Sequence, residues 1–411
     1  MKILNVSDVY FPRVNGVSTS IQTFSRELAK LGHQCHLIAP DYGSPNGSPN
    51  GKPAGLPAGQ PEPGGPHEPT LIRVPAFKVP FDPEDRFMTP SRLRALLPRL
   101  AAEAYDVLHI QTPFVAHQVG VELGRRLGLP VVETYHTFFE EYLHHYLPLV
   151  PRGLSRRCAR YFSRRQCNEV DAVVVPSRAM EEALRDYGVT TFLERLPTGL
   201  RLEDLRGGNG QTFRDAFHIP AERPTLCHIG RVAFEKNIDF LLRMLTRVVK
   251  SVPEVLLVIA GEGPALPALH RQVVELGLDA HVLFVGYLDR SSELLDCYRA
   301  ADAFVFASRT ETQGLVLLEA MALAVPVVST AVMGTKDILA PGLGALVAEE
   351  NEDDFAAKVI AVLTNAELRC RLRREARDYV ARCWEAGQMA RRLVELYQRL
   401  LAGRGELRAA A

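Results

Sequence analysis

Length, composition and charge set the first limits on what this chain can be. It has 411 residues, of which 47% are hydrophobic and 23% charged, and 48 lysines and arginines balance 48 aspartates and glutamates. The balance excludes a strongly basic or acidic protein, so only local charge can indicate a partner. The length exceeds what one hydrophobic core usually serves, and two α/β domains are therefore expected.

Cysteine usage and hydropathy exclude further classes. The seven cysteines are scattered and form no CxxC pair, which argues against a disulfide framework or a zinc site and favours a reducing compartment. The amino-terminal apolar run contains Asp8 and has no signal-peptide core. No run of about 18 uncharged apolar residues could span a membrane. We therefore expect a cytoplasmic protein, either soluble or attached to a membrane surface.

Strands and helices alternate from the first residues. Residues 2–7 read as a buried strand, 17–31 as a helix that ends near Gly32, and 34–39 as a second strand. This βαβ pattern is typical of a parallel sheet. Further strands are predicted at 107–111, 131–135 and 172–176, and the last is followed by a helix at 178–187.

A segment rich in glycine, proline, serine and asparagine interrupts this pattern at 43–69. It cannot bury enough apolar surface to offset its ordering entropy, so we interpret it as a flexible surface insertion. The alternative is a proline-rich loop that binds a partner.

A second strand and helix series follows in the carboxyl-terminal half. Its predicted strands are 225–229, 255–261, 282–285, 303–307 and 325–330, and its predicted helices are 238–251, 264–276, 314–323 and 353–363. The expected architecture is two doubly wound Rossmann-like domains that face each other across a ligand-binding cleft. Their predicted bounds are 1–195 and 196–385, with a carboxyl-terminal helix and tail at 386–411 whose apolar stripe indicates core packing.

Two strand-to-helix turns carry candidate phosphate-binding residues. Gly16 lies where the first turn should be, and a glycine there lets a phosphate approach the positive end of a helix. Arg231 and Lys236 flank the turn after strand 225–229, and a guanidinium with an ammonium suits a diphosphate. Structural glycine and solvated surface charges are the alternatives.

Two glutamates form the most informative motif. Glu311 follows the predicted strand 303–307, and Glu319 lies eight residues later within the predicted helix, among apolar neighbours. Eight helical residues rise about 12 Å, so the two carboxylates could contact opposite ends of one extended ligand. A charge in such surroundings is normally paired or functional, and the alternative is a salt bridge at a domain edge.

These residues resemble those of glycosyltransferase family 4, which has the two-domain GT-B fold. The resemblance rests on Glu311-x7-Glu319 followed by Ala-Met-Ala, on Gly230-Arg231, on Lys236-Asn237 and on the Ala-Gly-Glu-Gly-Pro stretch at 260–264. It implies that Arg231 and Lys236 hold the donor diphosphate, Glu319 the ribose and Glu311 the transferred sugar. It further implies donor contacts at Gly16, Gln313, Gly314 and Leu315, and transfer with retention of anomeric configuration. Many family members carry a glycine before the position of Gly16, where this chain has Asn15.

His136 follows predicted strand 131–135 and resembles the family's active-site histidine. In retaining transfer, the departing diphosphate oxygen can itself deprotonate the acceptor. His136 would then stabilise charge or position groups rather than act as the base. No Asp-x-Asp motif is present, and we expect no bound metal and no cofactor beyond the nucleotide-sugar co-substrate.

An aromatic-rich stretch at 138–151 is followed by an arginine-rich stretch that begins at Arg152. Six arginines occur in fourteen residues, and five of them fall within an arc of ~140° on a helix. This pattern predicts a helix on an anionic membrane surface, with the acceptor near Arg152, Arg156, Arg157, Arg160 and Arg164. The alternative is a solvated face whose apolar side packs on the core; no recognised nucleic-acid motif accompanies the arginines.

This stretch, with 310–316, is similar to bacterial diacylglycerol glucosyltransferases, which act at the inner face of the cytoplasmic membrane, usually with UDP-glucose. The resemblance implies transfer of a hexose from UDP-glucose to diacylglycerol. The alternatives are a GDP-mannose-dependent mannosyltransferase for an inositol lipid or soluble acceptor, a hydrolysing UDP-sugar epimerase, and a catalytically silent binding protein.

Overall fold

The chain forms two compact units in the computed structural model. The structure describes residues 1–13, 15–43, 67–79, 82–136, 138, 152–290 and 292–409. Unit 1 contains the described residues up to Gly199 together with the segment that begins at Ala386, and unit 2 runs from Leu200 to Glu385. The division therefore falls four residues after the predicted boundary at 195, and the carboxyl-terminal helix belongs to unit 1.

Unit 1 is built on an eight-stranded sheet in the order β4-β3-β2-β1-β5-β6-β7-β8. Only the edge pair of β3 and β4 is antiparallel, and every other neighbour is parallel. The strands are β1 Lys2–Val6, β2 Gln34–Asp41, β3 Thr70–Val79, β4 Asp82–Met88, β5 Val107–Ile110, β6 Val131–Thr134, β7 Ala172–Val175 and β8 Phe192–Arg195.

Helices cover this sheet, and their ends follow local sequence signals. Asn15 caps the first helix by accepting a hydrogen bond from the Ser18 backbone at 2.8 Å, and Gly32 after its end has a φ of 81°. The helices are α1 Gly16–Lys30, α2 Pro90–Arg94, α3 Leu97–Ala101, α4 Val115–Leu127, α5 Arg152–Cys167, α6 Arg178–Asp186 and α15 Ala386–Ala409.

The carboxyl-terminal helix α15 completes the core of unit 1. Leu393, Leu396 and Tyr397 are buried in one cluster with Ile3 and Val132, which confirms the predicted core packing. Truncating a buried leucine to alanine costs about 2–5 kcal/mol, so Leu393→Ala should destabilise unit 1 by that amount.

Unit 2 is built on a six-stranded, fully parallel sheet in the order β11-β10-β9-β12-β13-β14. Its strands are β9 Thr225–Ile229, β10 Leu256–Ala260, β11 Val282–Gly286, β12 Ala303–Phe306, β13 Val327–Thr330 and β14 Ala345–Ala348. Its helices are α7 Gly210–Ala216, α8 Ile238–Ser251, α9 Leu266–Glu275, α10 Glu293–Ala300, α11 Leu315–Ala322, α12 Thr335–Leu339, α13 Glu352–Thr364 and α14 Ala366–Cys383.

Both faces of the four central strands, β9, β10, β12 and β13, are buried, as expected for a parallel sheet between two helical layers. Successive residues point to opposite faces, so Leu226 joins one hydrophobic cluster while Cys227 joins the other. In both units the strand order reverses beside the first strand, between β1 and β5 and between β9 and β12. These reversals are the positions where doubly wound sheets bind ligands.

The predicted insertion at 43–69 extends too far at its carboxyl-terminal end. Glu68 accepts hydrogen bonds from Gln22 at 3.0 Å and Arg26 at 2.6 Å, and Pro69 is buried. These contacts anchor the chain to α1 immediately before β3. The rest of the predicted insertion, 44–66, lies outside the described residues.

Candidate active site

In unit 2 the loops at the carboxyl edge of the sheet are joined by backbone hydrogen bonds. Gly230 donates to the Ala260 carbonyl at 3.0 Å, and Gly261 donates to the Gly286 carbonyl at 2.7 Å. A Cβ on Gly261 would lie 1.9 Å from the Gly230 carbonyl oxygen, and one on Gly263 would lie 2.3 Å from that of Val232. Only glycine permits these approaches, which explains the glycine-rich sequences of both loops.

Lys236 and Glu311, both predicted site residues, contact each other. Lys236 ends a 3-10 turn, Phe234–Lys236, and its Nζ donates a hydrogen bond to the Glu311 carboxylate. Both side chains are 16% exposed. Arg231, on the loop before this turn, is exposed. The structure therefore brings two cations and one carboxylate to the switch point of the sheet, where they could bind a phosphorylated, hydroxyl-rich ligand.

Glu319 is almost fully buried and has two polar partners. Its carboxylate accepts hydrogen bonds from Arg290 and, at 3.0 Å, from the Tyr298 hydroxyl. Burial, followed by the charge of Glu319, raises the pKa of Tyr298 well above its usual range, so the hydroxyl remains a donor. Glu319 is therefore paired, as expected for a charge among apolar neighbours. The side chain of its partner Arg290 is 42% exposed.

The loop between the two glutamates corrects the estimate of their spacing. Helix α11 begins at Leu315, with Gly314 at its N-cap in a left-handed conformation with a φ of 96°. Glu319 therefore lies just over one turn into the helix, and Glu311 to Gly314 are not helical. The estimate of about 12 Å from eight helical residues does not apply.

Packing at Gly314 and Gly334 fixes that loop. A Cβ on Gly314 would lie 2.7 Å from a Leu317 methyl group, and one on Gly334 would lie 2.0 Å from the Thr312 carbonyl oxygen. Gln313 is buried and Leu315 half-buried, so the backbone at the start of α11 is closely held. This rigid helix start could donate N–H groups to an anion.

In unit 1, His136 follows β6 and its Nε2 lies 3.0 Å from the Oε1 of Gln111. Gln111 in turn donates from its amide nitrogen to the Oδ1 of Asn5 at 3.0 Å. Burial lowers the pKa of His136 to about 4, so the ring is neutral at pH 7. A neutral ring can accept or donate a hydrogen bond, but it carries no charge with which to balance an anion.

Gly16 is the first residue of α1 in unit 1. Among the described residues, no heavy atom lies within 4 Å of the position that a Cβ on Gly16 would take. Gly16 is exposed, and its contact with a donor phosphate stays a prediction. At the neighbouring reversal, Asp8 accepts hydrogen bonds from Thr112 at 2.9 Å and from the Ala116 backbone, which caps α4.

The arginine-rich helix α5 packs in a way that the pattern did not predict. Its buried side is a stripe of small residues, Ser155, Ala159, Ser163 and Cys167. Leu154, Tyr161 and Phe162 are instead 54%, 62% and 56% exposed, as are Arg156, Arg157, Arg160 and Arg164 in large part. The alternative in which the apolar side of this helix packs on the core is therefore wrong.

Other predictions about this region stay open. The side chain of Arg152 and the aromatic-rich stretch 139–151 lie outside the described part of the chain. No helix within the described ranges is long and apolar enough to cross a membrane. Sequence reasoning missed three partners of the predicted residues. Gln111 contacts His136, and Arg290 and Tyr298 contact Glu319. Only the folded chain brings them together, so no sequence pattern marks them.

Comparisons with known proteins agree with this arrangement. Residues 14–204 match the model "Glycosyltransferase Family 4", and residues 210–379 match "Glycosyl transferases group 1". The chain is 32% identical over 337 residues to the alpha-monoglucosyldiacylglycerol synthase of Streptococcus pneumoniae, covering 80% of this chain and 71% of that protein. It is 27% identical over 417 residues to the GDP-mannose-dependent alpha-mannosyltransferase of Mycolicibacterium smegmatis, covering all of both chains.

A solved structure shows the same fold at lower identity. Anabaena HepE, crystallised with UDP and glucose, superposes with a TM-score of 0.73 at 15% identity, covering 97% of this chain and 100% of its own. The family matches favour sugar transfer over the epimerase and silent-protein alternatives. Because both halves match glycosyltransferase models and a relative above 30% identity spans most of the chain, this protein belongs to the glycosyltransferases of Family 4 and group 1, with the two-domain GT-B fold.

Proposed function

We propose that this glycosyltransferase moves glucose from UDP-glucose onto diacylglycerol at an anionic membrane surface, with retention of anomeric configuration. The observation that carries the proposal is helix α5, which exposes arginines together with Leu154, Tyr161 and Phe162. A soluble acceptor gives no reason to expose such a combination. The name of the Streptococcus pneumoniae relative, a synthase of a glucosyldiacylglycerol, supports the same acceptor.

The surface of α5 has the chemistry of a helix that lies in a membrane interface. Arginine heads are attracted to anionic lipid headgroups at about 1 kcal/mol each. The exposed rings of Tyr161 and Phe162, with centroids 6.1 Å apart, and the Leu154 side chain can enter the boundary of the acyl region. The stripe of small residues lets the helix pack through a narrow side and leaves the rest for the lipid.

The donor side rests on the cluster in unit 2. Arg231 and Lys236 supply two positive charges to the donor diphosphate, and the start of α11 supplies backbone N–H groups. Glu319 would accept the ribose hydroxyls, with its carboxylate already oriented by Arg290 and Tyr298. Glu311 would accept hydroxyls of the transferred sugar after Lys236 turns to the phosphate. We expect no metal or cofactor in this step.

His136 has a supporting role in the proposed step. The acceptor hydroxyl bonds to the anomeric carbon while the carbon–oxygen bond to the diphosphate breaks, and the departing diphosphate oxygen takes the acceptor proton on the same face. Neutral His136 positions a sugar or acceptor hydroxyl through a hydrogen bond. The cations stabilise the charge that develops on the leaving group, which is the largest electrostatic demand.

A product assay tests the proposal directly. The purified protein is incubated with a panel of UDP- and GDP-sugars, with and without diacylglycerol in anionic micelles, and products are identified by mass spectrometry. We expect a hexosyl-diacylglycerol from UDP-glucose, with an α linkage by NMR. A lipid product from GDP-mannose alone would support the mannosyltransferase alternative, which the full-length Mycolicibacterium smegmatis similarity favours.

Vesicle binding tests the role of α5 separately. Changing Arg156, Arg157, Arg160 and Arg164 to glutamine should weaken binding to anionic vesicles by at least 100-fold at low salt, since each arginine contributes about 1 kcal/mol. A control changes four arginines on α14, Arg371, Arg374, Arg377 and Arg382, which alters net charge equally. Equal loss in both variants, or none in either, would contradict a specific contact through α5.

A further inference from the structure

Three neighbouring strands of unit 1 place polar side chains in a row that ends at His136. Asn5 lies in β1, Gln111 follows β5, and His136 follows β6. The amide of Gln111 lies between the other two, 3.0 Å from the Asn5 Oδ1 and 3.0 Å from the His136 Nε2. Asn5 and Gln111 are 5% and 6% exposed, so the row is shielded from water up to the ring.

The backbone fixes the position of Gln111. Its N–H donates to the Val6 carbonyl at 2.9 Å, which extends the pairing of β5 with β1 by one bond. Asn5 lies opposite His109 in that register, two residues before Gln111. Because residues two apart share a face of a strand, the side chains of Asn5 and Gln111 meet without any loop to adjust them.

We propose that Gln111 is a positioning residue for His136: its carbonyl oxygen accepts the Nε2–H, so the ring presents Nδ1 as a hydrogen-bond acceptor. The amide nitrogen of Gln111 donates to Asn5, which leaves its oxygen facing the ring. An amide oxygen only accepts, so the ring nitrogen opposite it carries the proton. The tautomer follows from these contacts alone, and the inference rests on the proposed function only for the substrate that His136 contacts.

A second histidine of unit 1, His117, shows how neighbouring carboxylates change the pKa of a buried ring. His117 is buried, and its ring nitrogens lie 3.0 Å from Glu133 and 3.3 Å from Glu169. The two carboxylates outweigh burial and raise the pKa of His117. His136 faces a neutral amide instead, and burial lowers its pKa to about 4. Burial therefore keeps the ring uncharged, and the glutamine orients it without supplying a charge that would counter burial.

This arrangement limits what His136 does for a substrate. With Nε2–H committed to Gln111, the ring offers one lone pair, on Nδ1, which suits a sugar or acceptor hydroxyl. It has no proton to give to a departing diphosphate oxygen. A carboxylate at position 111 would convert the ring into an imidazolium whose Nδ1 donates, and the hydroxyl would lose its acceptor.

Nitrogen NMR tests the tautomer without turnover. The protein is labelled with 15N-histidine, and the His136 resonance is assigned by its loss in His136→Gln. We expect the Nε2–H tautomer in the unmodified protein and a mixture of tautomers in Gln111→Leu. An Nδ1–H ring in the unmodified protein would overturn the proposal, as would an unchanged tautomer in Gln111→Leu.

Kinetics gives the functional readout. Gln111→Leu should lower kcat about 10- to 100-fold, the range for a misplaced hydrogen-bonding group. The KM for the donor should change little, because Arg231, Lys236 and Glu319 are unaltered. Gln111→Glu, nearly identical in shape, should move the acidic limb of the kcat–pH profile from near pH 4 to higher pH, because a carboxylate favours the protonated ring. Gln118→Leu, at an exposed position of α4, is the control and should match the unmodified protein.

The outcomes separate the two proposals. If no donor and acceptor pair gives a product, the proposed function fails, while the tautomer measurement still decides the role of Gln111. If transfer occurs and Gln111→Glu leaves the pH profile unchanged, the positioning role is wrong and the proposed function stands. Should Gln111→Leu not fold, Gln111→Glu carries both measurements.

Discussion

The two units hold their candidate site residues by different chemistry. In unit 2 the residues are ionised and paired, as Lys236 is with Glu311 and Arg290 with Glu319. In unit 1 the row through Gln111 to His136 is neutral and joined by amide hydrogen bonds. The difference matches the two parts of the proposed reaction, since a diphosphate carries charge and an acceptor hydroxyl does not.

Pairing also solves the problem of keeping charges in a partly buried site before a ligand arrives. A buried ion without a partner costs several kcal/mol, whereas a pair that exchanges one partner for a ligand group keeps its compensation throughout. Glu319 keeps two donors in place, and Lys236 can leave Glu311 for a phosphate oxygen. A neutral row needs no such exchange.

The largest effect should come from removing the cation that bonds to Glu311. Lys236→Met takes away a charge that stabilises the leaving diphosphate in the proposed reaction, and it leaves the Glu311 carboxylate without this donor. We expect kcat/KM to fall by about 10²- to 10³-fold, the range for loss of one stabilising donor. Lys250→Met, at an exposed position of α8, is the control. A loss below threefold in Lys236→Met would remove the residue from the site.

A smaller effect should follow from neutralising the buried carboxylate. Glu319→Gln keeps the shape but loses the ion pair with Arg290 and, in the proposed binding mode, one acceptor for the ribose. Hydrogen bonds to charged groups contribute about 1.5–3 kcal/mol, so the donor Kd measured by calorimetry should rise about 10- to 100-fold. Glu275→Gln, exposed at the end of α9, should bind the donor normally. Unchanged donor affinity in Glu319→Gln would contradict the ribose contact.

Two buried histidines, His228 and His117, predict opposite pH effects on stability. His228 of unit 2 is fully buried beside Phe304 and Phe306, and burial lowers its pKa to about 4. Below pH 6.5, His228 binds a proton in the unfolded chain but not in the folded one. The free energy of unfolding therefore falls as pH decreases from 6.5 toward 4. The loss is about 1.4 kcal/mol by pH 5.5. His117 of unit 1, whose pKa is raised, instead gains stability as pH falls through its folded pKa.

Denaturant unfolding at pH 7.5 and 5.5 checks both signs. His228→Gln should reduce the loss of unfolding free energy on acidification, and His117→Gln should increase it. Equal responses of the two variants would mean that neither ring has the protonation state assigned to it.

The smallest effect should come from the insertion. Replacing 44–66 by a short glycine-serine linker leaves Glu68, Arg26 and Gln22 in place, so the anchor before β3 remains. We expect activity within twofold and thermal unfolding within a few degrees of the full chain. A collapse of either would show that the segment is needed, whereas removing Glu68 as well should lower the unfolding temperature further.

Most of the parallel core was predictable because buried parallel strands are short apolar runs between helical patterns. The structure confirms each predicted strand within two residues, for example Thr225–Ile229 without change. The antiparallel edge pair was missed: β3 contains Pro75, and β4 begins Asp-Pro-Glu-Asp, a sequence without alternating apolar residues. The edge strand β4 tolerates such residues because one of its sides needs no partner. Pro75 lies where β3 passes from its last pair with β2 to its first pair with β4.

Within the site, motif residues were predictable and their partners were not. Arg290 lies 29 residues from Glu319, and Gln111 lies 25 residues from His136. Nothing local marks either partner, since strand register and loop packing bring them together. The packing of α5 was missed for the same reason. Helical periodicity separates apolar from charged faces but does not show which side of the helix its neighbours cover.

The return of α15 to unit 1 has a consequence for biosynthesis. During translation, every strand and helix of unit 2 leaves the ribosome before residue 386 does. Until then, the surface of unit 1 around Ile3 and Val132 that α15 covers remains open to water and to other nascent chains. Unit 1 therefore begins synthesis first and completes its core last, and a chaperone that shields this surface would act throughout the synthesis of unit 2.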